Sequence, residues 1–348
     1  DNNISNLLGV SNDKYFMPSI ANINGTDLSK YKVIRAGQFA FGPVTSRNGD
    51  KISIALMDTD EAIVSTSYTV FEIIDHDLLL PEYLNLWFKR AEFDRYTRFM
   101  SHGSVREIFD WNMMCQVELP VPSIQLQRTI ISRSRIISTR ISQLSKLIST
   151  LRSFGINQLM KEFANKEVDP LTISYEDLRV RNYQSSTLSE LTTKITAGGT
   201  PSRDNDDFWS NGTTPWLKIS EINDSFIFNS EEYITIEALK KSSAKLIKPY
   251  SLLLSMYCVS EEPNIGVNKI QTTTNQAICA MEFENYSILA YSFFYLKAFG
   301  RRMLRSANGP VQTNLNKNII ENFMIIMVYN DSSEYEKYTK ILNQIENY

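Results

Sequence analysis

The sequence predicts an α+β fold: two similar mixed α/β domains separated by a long helix that packs on another helix. Three observations predict it. The stretch from Gln125 to about Phe163 contains no Pro, and it sets Ile137, Ile141, Leu144, Ile148 and Leu151 at alternating four- and three-residue steps, the seam of a helix that packs on another helix. The segments before and after it carry similar elements in the same order. A second helical stripe, Tyr335, Tyr338, Ile341, Leu342, Ile345 and Tyr348, closes the chain, with Ile341 and Ile345 as its packing positions.

The first domain is expected over residues 1–122. Lys32–Phe41 reads as a strand that turns at Gly42-Pro43, and Lys51–Leu56 and Ala62–Ile74 are rich in the β-branched and aromatic residues that suit strands. The Asn48-Gly49 pair ahead of them is a hairpin signal. Pro81–Phe99 reads as a helix, with Pro81 in its first turn and Tyr83, Leu84, Trp87, Phe88, Phe93 and Tyr96 as its apolar side. A short helix over Arg106–Met114 and an extended exit, Glu118–Pro122, follow.

The spacer helix occupies residues 123–165; about 39 helical residues span roughly 58 Å. Gly155 costs it some stability, but Leu159, Met160 and Phe163 continue its apolar stripe. Residues 166–186 are polar and aperiodic and read as a linker. The second domain is expected over 187–330. Its strand candidates are Pro215–Ile219, Lys245–Tyr257, Thr272–Phe283 and Asn322–Tyr329, and its aromatic helix is Ile288–Ser306. A C-terminal helix fills 331–348. The chain opens without Met and stops within a helical pattern, so both ends read as truncated.

A weak repeat joins the two domains. Lys32–Gly37 matches Lys245–Tyr250, 213 positions later, and Gly103 matches Gly309, 206 positions later. Identities are few, and the order of elements is the stronger signal.

Composition narrows the function. The apolar content of 43% supports real cores, and a net charge of −3 gives no global attraction to nucleic acid or membrane. Cys115, Cys258 and Cys279 are too scattered for a disulfide framework or a zinc site, and they read as buried thiols of a cytoplasmic protein. His76 and His102 do not stand at metal-ligand spacing with another His or Cys. Nucleophile-elbow, P-loop and dinucleotide motifs are missing, and Gly198-Gly199-Thr200 lacks a Lys to reach a phosphate. No catalytic residue and no metal site is assigned.

The polar turns carry the remaining chemistry. Thr45, Ser46, Arg47, Asn48 and Lys51 lie on one loop between strands, where Arg suits guanine O6 and N7 and Asn suits adenine N6 and N7. Gly103, Ser104 and Arg106 offer backbone N–H groups, a hydroxyl and a cation to a phosphate. Asn308, Gly309 and Gln312 stand at the equivalent place of the second domain, after Arg305. Thr200, Pro201, Ser202 and Arg203, with Lys218 and Ser220, form another polar and basic cluster. Each turn alone could be a solvated loop; their recurrence in two domains favours duplex DNA.

Gly199-Thr200-Pro201-Ser202, then Pro215–Ile219, Thr274-Asn275-Gln276 and Asn308-Gly309, resemble the target-recognition domains of type I restriction–modification specificity (S) subunits. Leu119–Pro122 followed by Gln127 and a long helix resembles that family's first domain running into its central helix. Two departures stand out: Tyr329-Asn330-Asp331-Ser332 replaces the Pro and Gln before the last helix, and the first domain lacks a Gly-Thr-Pro-Ser turn, with Gly9-Val10-Ser11-Asn12 standing in that place. The resemblance implies a DNA reader without catalysis of its own and adds Tyr257, Asn275 and Gln276 to the DNA-contacting set. Each domain would read half of a bipartite target, and the long helices, paired as an antiparallel coiled coil, would set a spacing near one DNA turn, roughly 34 Å. It also implies no cofactor in this chain; S-adenosylmethionine and ATP would reside in partners, two modification (methyltransferase) subunits and, in many relatives, restriction (endonuclease/translocase) subunits. The competing reading from the residues is a two-domain protein-interaction scaffold without nucleic-acid specificity, and a minor third is a specificity domain cut from a fused methyltransferase–nuclease.

Overall fold

The computed structural model describes residues 6–19, 27–46, 49, 51–59, 61–103, 107–180, 183–258, 262–305, 313–329 and 331–348. It divides into two units, Asp1–Ile141 and Ser142–Tyr348. The first holds strands β1 (Leu7–Val10), β2 (Phe16–Pro18), β3 (Lys32–Arg35), β4 (Phe39–Phe41), β5 (Ile54–Leu56), β6 (Glu61–Val64) and β7 (Thr69–Phe71), then helices α1 (Pro81–Phe88), α2 (Ala91–Met100) and α3 (Trp111–Cys115). Its sheets run β2-β1-β6-β3 and β5-β4-β7. Strand β4 is buried along its length and sorts its side chains by the two-residue period of a strand. Phe39 and Phe41 join Leu84, Phe88, Phe93 and Phe109 beneath the helices, and Ala40 joins Ile34, Ala62 and Val64 beneath the other sheet.

Two expected elements break here for visible reasons. The strand expected over Lys32–Phe41 is interrupted at Gly37, whose φ of +85° is the left-handed region open to glycine. The helix expected over Pro81–Phe99 is split at Arg90, which is extended. Phe88 and Phe93 stand five residues apart, about 140° apart on a straight helix. The break lets both rings enter one core, with centroids 4.8 Å apart.

The second unit contains β8 (Ser185–Thr187), β9 (Lys194–Ala197), β10 (Thr214–Leu217), β11 (Phe226–Ile227), β12 (Glu232–Ile234), β13 (Leu252–Ser255), β14 (Tyr257–Cys258), β15 (Ile265–Asn268), β16 (Thr273–Thr274), β17 (Ile278–Glu282), β18 (Thr313–Asn314) and β19 (Met324–Ile326). Its central sheet is β11-β15-β13-β17-β9. Leu252, Leu254, Cys279 and Met281 face the helical side, while Leu253, Ile278 and Ala280 face Leu217, Ile222 and Ile247.

The duplication read from sequence reappears as topology. In both units the middle strand, β4 or β13, is flanked by antiparallel neighbours, β5 and β7 or β15 and β17. Parallel β1–β6 and antiparallel β3–β6 pairing in the first unit match parallel β10–β16 pairing and the Ile247–Thr272 bridge in the second. The Val44–Ile108 bridge matches Tyr257–Asn314. Even the turn residue recurs: Gly37 corresponds to Tyr250, which adopts φ +58°. This register corrects one expectation. Leu7 and Leu8 pair with β6 as Trp216 and Leu217 pair with β16, so Gly9-Val10-Ser11-Asn12 corresponds to Lys218–Glu221 and not to the Gly-Thr-Pro-Ser turn.

The remaining helices are α4 (Ile124–Asn165), α5 (Tyr175–Val180), α6 (Leu188–Leu191), α7 (Ile236–Lys241), α8 (Tyr286–Phe299), α9 (Arg301–Arg305), α10 (Lys317–Glu321) and α11 (Glu336–Glu346). Helix α4, 42 residues long, passes from the first unit into the second. In the first unit Gln127 is fully buried: Nε2 donates to the carbonyls of Leu78 (2.9 Å) and Pro122 (2.8 Å), and Oε1 accepts from the Leu80 N–H (2.9 Å). In the second unit Gly155 lies against Phe294, and Leu159 and Phe163 enter the core. The segment expected as a linker is packed instead, because Val168, Ile173 and Leu178 are buried apolar residues of that core.

Of the residues expected on the helix-pairing seam, Ile137 and Ile141 are exposed, Leu144, Ile148 and Leu151 are half-buried, and Ile341 and Ile345 are buried in the core with α8. Helix α11 meets α4 through Glu162, which accepts from Tyr338 Oη (2.7 Å) and pairs with Lys337. Among the described residues no helix is long and apolar enough to cross a membrane. Cys279 is buried, as expected, and burial pushes its thiol up to about 12; Cys115, expected to be buried, is exposed at the end of α3.

Two substitutions test these dockings. Gln127→Leu strips partners from three backbone groups, so the first unit should lose at least about 2 kcal/mol in denaturant unfolding. A Cβ at Gly155 would stand 2.3 Å from the Phe294 ring. Gly155→Ala should therefore lower the melting temperature of the second unit, because overpacking of about 1–3 kcal/mol exceeds the helical gain of about 1 kcal/mol.

Candidate nucleic-acid interface

In the second unit, β9 runs out into Gly198-Gly199, and both glycines are required by close approach. The Gly198 N–H donates to Ile278 O (3.0 Å) and the Gly199 N–H to Thr274 O (2.8 Å). A Cβ on Gly198 would lie 2.2 Å from Asn275 O, and one on Gly199 would lie 2.2 Å from Ser243 Oγ. Trp216 Nε1 fixes the turn from below by donating to Gly199 O (3.0 Å). Thr200 Oγ1 then donates to Gln276 Oε1. Asn275 bonds through its N–H to Leu217 O (3.0 Å), and its side-chain carbonyl accepts from the Ala277 N–H (3.2 Å).

The cations of this cluster are not free. The Arg203 guanidinium lies 3.6 Å from the ring centre of Trp209 and 4.8 Å from that of Trp216, and it pairs with Glu232. Lys218 Nζ pairs with Glu231 (2.8 Å) and Glu232 (3.1 Å). The bond from Arg203, joined by that from Lys218 and opposed by partial burial, holds the Glu232 carboxyl below the usual glutamate range. Hydrogen bonds to Glu231 and Glu232 raise Lys218. Pro201 is buried, while Ser202 and Ser220 are exposed.

The structure therefore gathers Thr200, Pro201, Ser202, Arg203, Lys218, Asn275 and Gln276 around one glycine turn, with Ser220 in the short 3-10 turn Ile219–Glu221 that follows β10. Tyr257 is half-exposed and comes one residue after Met256, whose N–H donates to Ala277 O (2.8 Å). Arg305 ends α9, and its side chain lies outside the described residues, as do Asn308, Gly309 and Gln312.

In the first unit the two expected loops lie side by side. Thr45 N–H donates to Glu107 O (3.0 Å), and Phe109 N–H donates to Pro43 O (2.8 Å). Thr45 is buried, and its hydroxyl donates to Ser101 Oγ (2.8 Å), which donates in turn to Thr97 O (2.6 Å). It is a loop fastener, and its side chain is not open to a ligand. Ser46 and Gly103 are exposed, and Lys51 pairs with Asp13 (2.7 Å). Arg47, Asn48, Ser104 and Arg106 lie outside the described residues.

Sequence reasoning missed one cluster here. Arg95, Arg98 and Phe99 on α2 line a cleft of about 480 Å³ together with Lys51, and Phe99 is 81% exposed. The signal was present: Phe93 and Thr97 are the buried positions of α2, and Phe99 falls off that side. Among the described residues no group of three or more His, Cys, Asp or Glu could hold a metal ion.

Duplicated strand pairing and a long intervening helix define a chain of two similar modules. Residues 181–347 match the family described as the type I restriction modification DNA specificity domain. The chain is 25% identical over 284 residues to the EcoR124I/EcoR124II type I restriction enzyme specificity subunit of Escherichia coli, covering 80% of this chain and 64% of that protein. Similar solved structures include the S subunit of a type I restriction–modification system from M. genitalium (13% identity, 100% of this chain and 91% of that chain, TM-score 0.48) and the HsdS subunit from Thermoanaerobacter tengcongensis (18%, 95% and 78%, TM-score 0.35). That family match spans residues 181–347, just under half of the chain.

The Glu232 pairing gives a pH test. A glutamate held below its unfolded value stabilises fully above about pH 4.3 and loses that contribution as pH falls through the folded value. Wild type should melt above Glu232→Gln at neutral pH, and the two melting curves should converge in acid.

Proposed function

We propose that this chain is the sequence-specific DNA-recognition subunit of a type I restriction–modification complex. Each unit reads one half of a bipartite target, and the helices set the interval and dock the modification subunits. The observation that carries this reading is the family match over residues 181–347, in a chain whose first unit repeats the strand pairing of the second. The chain carries no catalysis of its own in this reading. Modification subunits supply S-adenosylmethionine, and base flipping occurs there; where restriction subunits join, they supply ATP-driven cleavage.

Chemically, backbone contacts from the exposed loop residues would fix register, and a few side chains would read base edges in the major groove. Each unit contributes its own loops, so its half-site should change independently. Methylome sequencing of cells with and without the gene should show one split motif whose methylation depends on it; an unchanged methylome would favour the scaffold reading. Arg47→Ala should relax the half-site read by the first unit and leave the other intact, and equal loss at both half-sites in a folded variant would count against modular reading.

A further inference from the structure

We propose that Thr200 and Gln276 form a preset donor clamp for a backbone phosphate, so that Gln276 anchors the duplex without reading its sequence. The proposal deepens the DNA-recognition reading above and rests on it.

The other polar groups around the glycine turn are already engaged. Arg203 is stacked on Trp209 and paired with Glu232, Lys218 is shared between Glu231 and Glu232, and the Asn275 carbonyl caps Ala277. Gln276 differs. It is exposed, and among the described residues its amide nitrogen has no partner.

The Thr200 hydroxyl donates to Gln276 Oε1, so the carbonyl edge of the amide is engaged within the protein. Reading adenine as a pair needs the amide oxygen and nitrogen together. What remains unengaged among the described residues is the Nε2 group, two N–H donors. A phosphate oxygen, which only accepts, matches that group, and unlike the acceptors on base edges it is present at every base pair.

Thr200 follows two glycines packed against Thr274 and Ser243 and is held through Gly199 O by Trp216. The donor is therefore oriented before DNA arrives, which lowers the ordering cost of binding. Thr200 is a positioning residue in this arrangement and Gln276 the contact.

The test uses the full chain and a duplex library with a randomised core. The duplex enriched by wild type, and single-base variants of it, are then titrated with Gln276→Ala, Gln276→Glu, Thr200→Val and Thr200→Ser. Gln276→Ala should bind about tenfold or more weakly on every duplex, as for loss of a hydrogen bond to a charged group, with the rank order of duplexes kept. Its salt slope should match wild type, because no charge is lost. Gln276→Glu should lose more, since a carboxylate then faces the phosphate. Thr200→Val should weaken binding uniformly, and Thr200→Ser should restore it. The side chain of Gln276 is exposed, so melting curves should confirm intact folding. A changed preference at one base position in Gln276→Ala, or a new preference for cytosine in Gln276→Glu, overturns the proposal in favour of base reading. Undiminished affinity of Gln276→Ala overturns it as well. If wild type enriches no sequence at all, the DNA-recognition reading fails and this proposal with it; the other two failures leave that reading standing.

Discussion

Each unit is built around a strand with no face left for water. Phe39, Ala40 and Phe41 are fully buried, as are Leu252, Leu253 and Leu254. A strand of this kind needs a cover on both sides and a neighbour on both edges. The edges are met by β5 and β7 in one unit and by β15 and β17 in the other. One face takes the aromatic helices and the other takes a second sheet. Polar chemistry is thereby pushed to the ends of the strands. That is why the loop following the middle strand is bridged to the segment following the aromatic helix in both units, Val44 to Ile108 and Tyr257 to Asn314.

Much of this was legible because apolar period and turn chemistry are local signals. The Leu252–Leu254 run announced a strand buried on both faces, and the proline-free stretch after Pro122 announced α4. The repeat was legible at an offset of 213 because the core keeps position even where identity is lost. What failed was register and break points. Nothing local to Gly9-Val10 says that it follows a strand equivalent to β10; only its pairing with β6 does. The split at Arg90 is a tertiary decision, taken so that Phe88 and Phe93 share a core. The packed 166–186 segment looked polar because Val168, Ile173 and Leu178, which enter the core, are outnumbered by charged and hydroxyl neighbours.

The candidate interface was legible in residue type and not in role. Thr45, Arg203 and Lys218 are the kinds of residue that contact DNA, and sequence cannot show which are already engaged. Thr45 fastens two loops, and Arg203 and Lys218 are neutralised by Glu232 and Glu231. A net charge of −3 and paired cations leave the glycine turn without a strong positive field. Neutral donors, exposed hydroxyls and the unpaired edge of Gln276 are what that turn presents. Such groups are worth more when held rigid than when mobile, and the two glycines and Trp216 hold the start of this turn in place.

The same constraint accounts for how far the units have diverged. A core asks for volume and apolarity at fixed positions and tolerates exchange of one large residue for another. Phe39 and Leu252 answer the same requirement, as do Ala40 and Leu253 with compensating neighbours. Loops are under no such demand. The first unit places Phe99, Arg95 and Arg98 beside its Thr45 loop, whereas the second adds strand β9 and a glycine turn that has no counterpart among the described residues of the first. One scaffold thus carries two chemically different surfaces. Burial fixes where the loops are, and leaves open which side chains they carry.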